Sequence, residues 1–338
     1  MDDQIGTPLP PLHVVCRPAR QSDTADVLEL TRTIWDGHDY VPEAWEGWLA
    51  DPQGLLAVAE YQRRVLGLGK LTRLSSDDWW LEGLRVHPEY QGRWVGSQLN
   101  DYLLAHWLQT GNGALRLATN SERVQVHHMC QRNGFTKAAE FTWYVAPNLD
   151  DWSQNSGAKG PIQASSQDAA SSVDLPKYIK TEDESHASNL AIPDSIFRSL
   201  GLQEISKAVS FARQSPSLQL SNGLMGLFWR WAPPKDVFFV PEVERQRVWW
   251  WRDEQGLLIS GDDVDDEGNP TAIVKLLACS MEAIPDILGD FRRLAALLGF
   301  PKAGWLAPLH PELLPLLETA SFQRDWENSL FLFEKWHD

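Results

Sequence analysis

The chain has 338 residues, of which 43% are hydrophobic and 22% are charged. This length exceeds one ordinary domain, since about 100–200 residues per domain is usual, and the composition excludes a fibre or a wholly disordered chain. The net charge of −16 would repel a phosphate backbone, so we expect no nucleic-acid partner. None of the 17 tryptophans lies in residues 153–228, which suggests two packed halves joined by a segment with few large aromatic residues.

The cysteines and the terminal sequence bear on compartment and cofactors. Cys16, Cys130 and Cys279 are odd in number and far apart, which is typical neither of a disulfide framework nor of a zinc site. The first residues, MDDQIGTPLPPLH, lack the basic region and apolar run of a signal peptide. No apolar run approaches the ~18 residues of a membrane span. We therefore expect a cytoplasmic protein without a metal or a membrane partner, and the sequence leaves its oligomeric state open.

Residues 13–147 predict a mixed α/β domain. Short apolar runs predict strands at 13–17, 55–61, 64–74, 79–86, 115–119 and 139–146. Apolar residues three or four positions apart predict helices that begin near residue 22, around 45–49, over 95–109 and over 121–133. The order is strand, two helices, three strands, helix, strand, helix, strand.

The rest of the chain suggests a linker and a second folded half. Residues 151–193 are rich in Ser, Gln, Ala, Asp and Lys and lack a sustained period, which is typical of a flexible linker or insert. Order resumes with a predicted helix at 195–209, followed by predicted strands within 224–231 and 248–261. The order of elements over 79–147 recurs over 271–336, which predicts a diverged internal duplication. The predicted units are 1–150, 151–193 and 194–338.

The most informative stretch is LEGLRVHPEYQGRWVGSQL, residues 81–99. A strand ends at His87-Pro88, and a polar loop then leads into a helix near Val95. Such a loop directs backbone N–H groups outward at a helix N-terminus, where the macrodipole also favours anions. Gly92 and Gly96 allow a phosphate to approach the backbone closely, and Arg93 adds positive charge. The loop therefore suits a pyrophosphate, and the alternative is an ordinary strand–turn–helix with surface glycines.

This stretch resembles the acetyl-CoA loop of the GCN5-related N-acetyltransferase (GNAT) family. That loop reads Arg/Gln-x-x-Gly-x-Gly/Ala after a Val-x-Pro strand end, and the order of elements over 13–147 is similar to the family's fold. The resemblance implies an α/β fold of two tandem GNAT units, each a mixed, mostly antiparallel sheet flanked by helices. It implies acetyl-CoA as co-substrate and no metal. The residues expected to contact acetyl-CoA are Leu84, Arg85, Val86, Gln91, Gly92, Arg93, Trp94, Val95 and Gly96.

The resemblance also implies direct transfer from the thioester to an amine. The strand ending at Val86 would part from its neighbour near 115–119, and a backbone N–H near Leu84 or Arg85 would bind the thioester oxygen. Glu82 is the first candidate for the base that accepts the amine proton. Strand alternation would place Glu82, Leu84 and Val86 on one face unless a β-bulge intervenes. The alternative is a structural carboxylate paired with Arg85 or Arg73.

Two positions depart from the family pattern. Trp94 stands where the loop normally has glycine, so its side chain should point away from the phosphates or cover the nucleotide. Cys130 stands where the family often has a tyrosine as general acid, so it is the candidate acid, and the alternative is a small buried residue. His127 and His128 are further candidates, of which at least one should face solvent.

The acceptor is expected to be a small-molecule amine. Asp39 and Tyr40 lie in the segment that borders the family's acceptor site, where they could hold a cation; the alternative is a turn between two helices. Residues 34–49 and EGLRV (82–86) resemble a subgroup that includes vertebrate histidine N-acetyltransferase, which suggests an amino acid.

Two further expectations concern the second half and the activity. The second half lacks the loop motif, so we expect it not to bind acetyl-CoA, and its acidic turn DDVDDEGNP (262–270) lacks the spacing of an EF-hand. The sequence thus predicts an acetyl-CoA-dependent N-acetyltransferase. The alternative is a sensor or partner-binding module of the same fold without catalysis, and transfer of a longer acyl group is a third reading.

Overall fold

The computed structural model describes residues 10–149, 193, 195–264 and 268–337. The predicted linker, 151–193, lies outside the described residues apart from Pro193. In the described part of the chain, no helix is long and apolar enough to cross a membrane.

The first half has the predicted order of strands and helices. Its elements are β1 (Val15–Pro18), α1 (Thr24–Thr31), α2 (Val41–Ala50), β2 (Leu55–Tyr61), β3 (Arg64–Arg73), β4 (Asp78–Val86), α3 (Val95–Thr110), β5 (Ala114–Asn120), α4 (Val124–Arg132) and β6 (Thr136–Pro147). Alternation along β2 and β3 separates two apolar layers. Ala57 and Leu66 face the layer beneath α3, whereas Val58 and Val65 face the layer beneath α1 and α2.

The second half contains more elements than the sequence predicted. They are β7 (Phe197–Ser199), α5 (Ile205–Gln214), α6 (Pro216–Gln219), β8 (Met225–Gly226), β9 (Trp231–Ala232), α7 (Asp236–Glu244), β10 (Val248–Trp251), β11 (Gly256–Val264), β12 (Pro270–Cys279), α8 (Ile284–Leu297), β13 (Lys302–Pro308), α9 (Leu314–Thr319), β14 (Gln323–Arg324) and β15 (Leu330–Trp336).

Two local predictions in the second half were wrong. The predicted helix at 195–209 begins as strand β7, because Phe197–Ser199 pairs with β10 at the edge of the sheet, and such tertiary pairing overrides local helical preference. The predicted strand within 224–231 is reduced to the two-residue strands β8 and β9. Phe228 lies between them with a φ of 63°, a left-handed conformation that turns the chain back on itself.

One large sheet runs through both halves. Its strand order is β1-β2-β3-β4-β5-β15-β6-β13-β12-β11-β10-β7, and β14 also pairs with β6. Only β4–β5 and β12–β13 are parallel among the pairs in the described residues. The last long strand of each half has crossed over, since β15 pairs along the whole of β5 and β6 pairs along β13. The two halves therefore share a continuous hydrogen-bonded centre.

A buried ion cluster fixes this centre. Arg116 on β5 donates from Nη1 to Asp78 Oδ1 at 2.8 Å and from Nε to Glu334 Oε2, on β15, at 2.6 Å. The Arg116 side chain is 1% exposed. Lys235, which precedes α7, pairs with Asp77 and Asp78, and this contact holds the pKa of Asp77 down at about 2. Charged groups of both halves thus meet at the start of β4.

Candidate functional site

Strands β4 and β5 diverge after three paired residues and leave an opening in the sheet. Their parallel pairing is confined to Asp78–Trp80 against Ala114–Arg116. Beyond Trp80, β4 keeps its pairing with β3 on the outer side and β5 keeps its pairing with β15. The facing edges of the two strands therefore leave backbone groups free to pair with an inserted ligand.

A β-bulge lies in β4 beside this opening. Lys70 pairs with Glu82 and Leu68 pairs with Arg85, so that Gly83 and Leu84 together stand opposite Gly69. Gly83 has a φ of 66°, and a Cβ there would lie 2.5 Å from Cη2 of Trp48, so the position requires glycine. A bulge leaves its extra residue out of the ladder and re-aims the neighbouring groups.

The bulge overturns simple alternation along β4. Leu84 packs in the apolar layer beneath α3, whereas Arg85 reaches Asp39, on the segment preceding α2. Glu82 reaches Arg230. Glu82 and Leu84 therefore do not share a face, and the polar side chains of β4 converge on the side of α1 and α2.

The loop after β4 presents unpaired N–H groups. Gln91 Nε2 donates to the Val86 carbonyl at 3.2 Å, which folds the loop back on its strand. Within the described residues, the N–H groups from Gly92 to Ser97 donate no hydrogen bond to protein. Gly92 has a φ of 72° with no atom within 4 Å of an added Cβ, whereas an added Cβ at Gly96 would lie 3.2 Å from Val86. The loop and the first turn of α3 form a cradle of donors suited to an anion.

Trp94 begins α3 in a left-handed conformation, with a φ of 68°. Its side chain is 58% exposed, so it does not pack in the core. Arg93, which is half-buried, is fixed to the N-terminal segment, since Leu12 N donates to its carbonyl at 3.0 Å. Trp94, at the position where glycine was expected, therefore adopts a left-handed backbone at a cost of order 1 kcal/mol.

Asp39 and Tyr40 lie beside the bulge, but Asp39 is already paired. Both its carboxylate oxygens accept hydrogen bonds from Arg85, at 2.9 and 3.1 Å, and its side chain is 1% exposed. Burial raises the pKa of Tyr40 to about 12, so its hydroxyl stays protonated at neutral pH. The Arg85 guanidinium lies over the Tyr40 ring at 5.3 Å. This side of the opening therefore carries the Asp39–Arg85 ion pair, whose charges cancel, and the phenol of Tyr40.

Glu82 is held by a residue of the second half. Arg230 Nη2 lies 2.8 Å from Glu82 Oε1, Arg230 Nε lies 3.1 Å from Oε2, and the Thr72 hydroxyl donates to Oε1 at 2.6 Å. The alternative reading of Glu82 as a structural carboxylate named Arg85 or Arg73 as its partner, whereas the structure pairs it with Arg230. Arg230 is 148 positions away in a segment without a recognisable motif, so no local signal could have found it.

Residues 24–135 match the model of the acetyltransferase (GNAT) family. The match covers about a third of the chain. Histidine N-acetyltransferase of Scomber australasicus is 28% identical over 82 residues, which is 24% of this chain and 24% of that protein. The chain therefore matches about a quarter of the length of its curated relatives.

Solved structures agree with the GNAT fold, with its mixed sheet and flanking helices. A GCN5-related N-acetyltransferase from Sphaerobacter thermophilus superposes with a TM-score of 0.52 at 11% identity and covers 97% of each chain. One from Kribbella flavida has a TM-score of 0.53 at 14% identity and covers 96% of this chain and 71% of that one. At these identities the likeness concerns the fold alone.

Cys130, the candidate acid, is buried in the core. It is 1% exposed within the apolar layer beneath α3, and this burial raises the pKa of its thiol to about 12. So weak an acid is poorly matched to protonating a departing thiolate. The geometry favours the alternative reading of Cys130 as a small buried residue.

Cys130→Ala should therefore leave acetyl transfer within about threefold of wild type, because the substitution removes one buried sulfur and no catalytic proton. The change should lower the free energy of unfolding by about 1 kcal/mol. The measurement is kcat/KM across pH 6–10 together with chemical denaturation. A loss of turnover beyond a hundredfold in a folded variant, with a changed alkaline limb, would restore the acid role.

The two histidines of α4 differ in environment. His127 stacks on Phe331 of β15 with ring centroids 5.0 Å apart, and its Nε2 lies 3.1 Å from the Asn120 carbonyl. His128 is exposed. His127 thus packs α4 against β15.

The second half has a comparable opening that protein fills. Strands β12 and β13 pair only from Thr271 to Val274. Beyond that point Ser217 Oγ donates to the Leu277 carbonyl at 3.0 Å and accepts from Cys279 N at 3.0 Å. Ser215 Oγ donates to the Cys279 carbonyl at 2.9 Å. Short helix α6 thereby satisfies the backbone that an inserted ligand would use.

The acidic turn of the second half is only partly described, since residues 265–267 lie outside the described residues. Among the residues that are described, no group of three or more His, Cys, Asp or Glu side chains is arranged to hold a metal ion.

Proposed function

We propose that the chain is an acetyl-CoA-dependent N-acetyltransferase that acts on a small-molecule amine by direct transfer. The observation that carries the proposal is the alignment of three features along β4. These are the parted edge of the strand, the bulge at Gly83, and the unpaired N–H groups from Gly92 to Ser97. Match of residues 24–135 to the GNAT family, whose members use acetyl-CoA, supports the same reading.

The residues present fit acetyl-CoA as co-substrate. The N–H groups of Gly92 to Gly96 would hold the pyrophosphate, because a helix N-terminus attracts anions and Gly92 leaves room beside its backbone. Leu84, Arg85 and Val86 would pair with the extended pantetheine arm along the open edge of β4. A backbone N–H near Leu84 or Arg85, at the bulge, would stabilise the negative charge that develops on the thioester oxygen.

Removal of the amine proton is assigned to the polar side of the bulge. Glu82 remains the first candidate for the base, since its side chain is 10% exposed and lies next to the bulge. Its oxygens are engaged by Thr72 and Arg230, so proton transfer to Glu82 requires this pair to open or a water to relay the proton. The rest of the rate enhancement would come from positioning of amine and thioester.

The second half is proposed to be a diverged GNAT-like unit that has lost acetyl-CoA binding. Exchange of β6 and β15 between the halves supports a tandem origin, because each half completes the sheet of the other. Ser215 and Ser217 cover the open stretch of β12, which supports the loss of ligand binding there. The catalytic unit would then be 1–150 and the second unit 194–338, joined by 151–193.

The acceptor is proposed to be an amino acid, on the strength of the match to histidine N-acetyltransferase over 24% of the chain. The three cysteines are unpaired. This suits a reducing compartment, and we propose the cytoplasm.

A non-catalytic acyl-CoA sensor is the second candidate. The burial of Cys130 and the engagement of Glu82 favour it, because they leave the two predicted proton-transfer groups occupied or inert. Under this reading the cradle after β4 binds the coenzyme and no acetyl group is transferred.

Calorimetry with acetyl-CoA and an assay of CoA release decide between these functions. The assay uses amino acids, polyamines and aminoglycosides as acceptors and longer acyl-CoAs as alternative donors. Binding with turnover confirms the enzyme, and binding without turnover favours the sensor. Absence of both binding and turnover in folded protein rejects both.

A further inference from the structure

A short hairpin from the second half reaches across the sheet to the acyl-transfer opening of the first. Strands β8 and β9 form this hairpin, and Trp231 stacks on Phe141 of β6 with centroids 4.7 Å apart. The ring centroid of Trp231 also lies 6.0 Å from that of Trp80, which is three residues before Gly83 of the bulge on β4. These aromatic contacts fix Arg230, the last of the four residues between the two strands, above the polar side of β4.

Arg230 uses only some of its N–H donors to bind Glu82. A guanidinium carries five N–H donors, and the contacts to Glu82 use Nε and Nη2. In the described residues, Nη1 of Arg230 donates to no acceptor, and 27% of the side chain is exposed. One edge of the guanidinium is therefore held rigidly while the other is open.

The neighbouring arginine is committed differently. Arg85 directs Nε and Nη2 to Asp39 and Nη1 to the Leu84 carbonyl, and its side chain is 11% exposed. The charged groups near the Tyr40 hydroxyl are Arg85, Glu82, Asp39 and Arg230. Of these two arginines, the one with an uncommitted edge is Arg230.

We propose that Arg230 is a specificity-determining residue that binds the carboxylate of the acceptor. The inference rests on the proposed acetyl transfer and narrows its acceptor to an α-amino acid. The α-ammonium and carboxylate of an amino acid lie side by side, as do Glu82 and Arg230, so the two pairs of charges are complementary. A guanidinium also matches a carboxylate in shape, since it can donate two parallel hydrogen bonds.

The acetyl transfer needs only the acceptor amine, the thioester and solvent protons. After the α-ammonium loses its proton to water or Glu82, the amine nitrogen forms a bond to the acetyl carbon. The nitrogen then gives up a second proton to solvent as the carbon–sulfur bond breaks. The sulfur leaves as CoA thiolate and takes up a proton from solvent. Arg230 takes no part in these bond changes and acts by holding the acceptor in place, so its loss should raise KM more than it lowers kcat.

The test is a matched acceptor series on the full chain. One α-amino acid is compared with its carboxamide and with the amine that lacks the carboxylate, for wild type and Arg230→Ala. The control is Arg245→Ala, which removes an arginine of the same half whose side chain is 61% exposed. Acetyl-CoA affinity by calorimetry and thermal unfolding verify that each variant retains its fold and its co-substrate site.

We expect wild type to prefer the carboxylate-bearing acceptor by roughly tenfold to a hundredfold in kcat/KM, because a hydrogen bond to a charged group is worth about 1.5–3 kcal/mol. Arg230→Ala should abolish this preference through KM and leave acetyl-CoA affinity unchanged. Arg245→Ala should keep the preference. Where Arg230→Ala fails to fold, Arg230→Lys should keep a weakened preference, since lysine has the charge without the fork.

Two results would overturn the proposal. The first is a wild-type enzyme that acetylates the three acceptors equally well. The second is a preference for the carboxylate that survives in folded Arg230→Ala or is undiminished in Arg230→Lys. Failure of the proposed acetyl transfer itself would appear differently, as no turnover with any acceptor.

Discussion

Substituting Gly96 by glutamate should abolish acetyl-CoA binding and leave the fold intact. The new carboxylate would stand in the first turn of α3, among the unpaired N–H groups proposed to hold the pyrophosphate. At 4 Å and an effective dielectric constant of 20, repulsion between two unit charges is about 4 kcal/mol. The Kd should therefore rise by about a thousandfold. An acidic side chain at a helix N-terminus is itself favourable, but the added Cβ would lie 3.2 Å from Val86, so we expect a loss of about 1 kcal/mol in the free energy of unfolding and a retained fold, checked by thermal unfolding.

The matched control is Gly289→Glu, which adds the same charge to α8 in the second half. An added Cβ at Gly289 meets no atom within 4 Å, so the substitution is tolerated there. Calorimetry should show unchanged acetyl-CoA affinity for this control. Equal weakening in both variants would mean that net charge, and not the cradle after β4, governs binding. Undiminished affinity in Gly96→Glu would place the pyrophosphate elsewhere.

Replacing Arg116 by methionine should lower the free energy of unfolding by about 3–5 kcal/mol. Arg116 is 1% exposed and joins Asp78 on β4 to Glu334 on β15. Methionine keeps much of the volume but leaves Asp78 buried with Lys235 as its remaining basic partner. A buried carboxylate that loses one of its two basic partners is destabilised more than an exposed pair that is broken, because the folded protein cannot replace the lost partner with water.

Arg132→Met provides the comparison. Arg132 pairs with Asp101 at 2.9 Å, but the two side chains are 42% and 53% exposed. Screening by water limits such a pair to about 0–1 kcal/mol. Urea denaturation of both variants measures the difference. Equal destabilisation would show that the cluster around Arg116 is no more than a surface ion pair in energetic terms.

The elements of the first half could be predicted because their signals are local. Apolar spacing along residues 95–109 and the glycine after it define α3, and short β-rich runs define β2 to β5. The loop from Gln91 to Gly96 is likewise a contiguous motif. Contiguous residues share a backbone path, so their pattern constrains the structure before any long-range contact forms.

The contacts of the candidate site could not be predicted in the same way. Glu82 pairs with Arg230, and Asp39 pairs with Arg85 instead of standing open for a cation. The bulge at Gly83 moves Glu82 and Leu84 to different faces, although the alternating pattern in the sequence is unbroken. Each of these features depends on which groups meet across the sheet, and no local pattern specifies that.

The sequence by itself determined the order of strands and helices over residues 13–147, and its net charge of −16 predicts no nucleic-acid partner. It also determined that a donor-rich loop follows β4. Only the tertiary structure decided that β15 crosses into the first half beside β5 and that Arg230 stands over Glu82. The reason is physical: propensity and periodicity act over a few residues. Strand order and ion pairing are settled by burial and charge between segments more than a hundred positions apart.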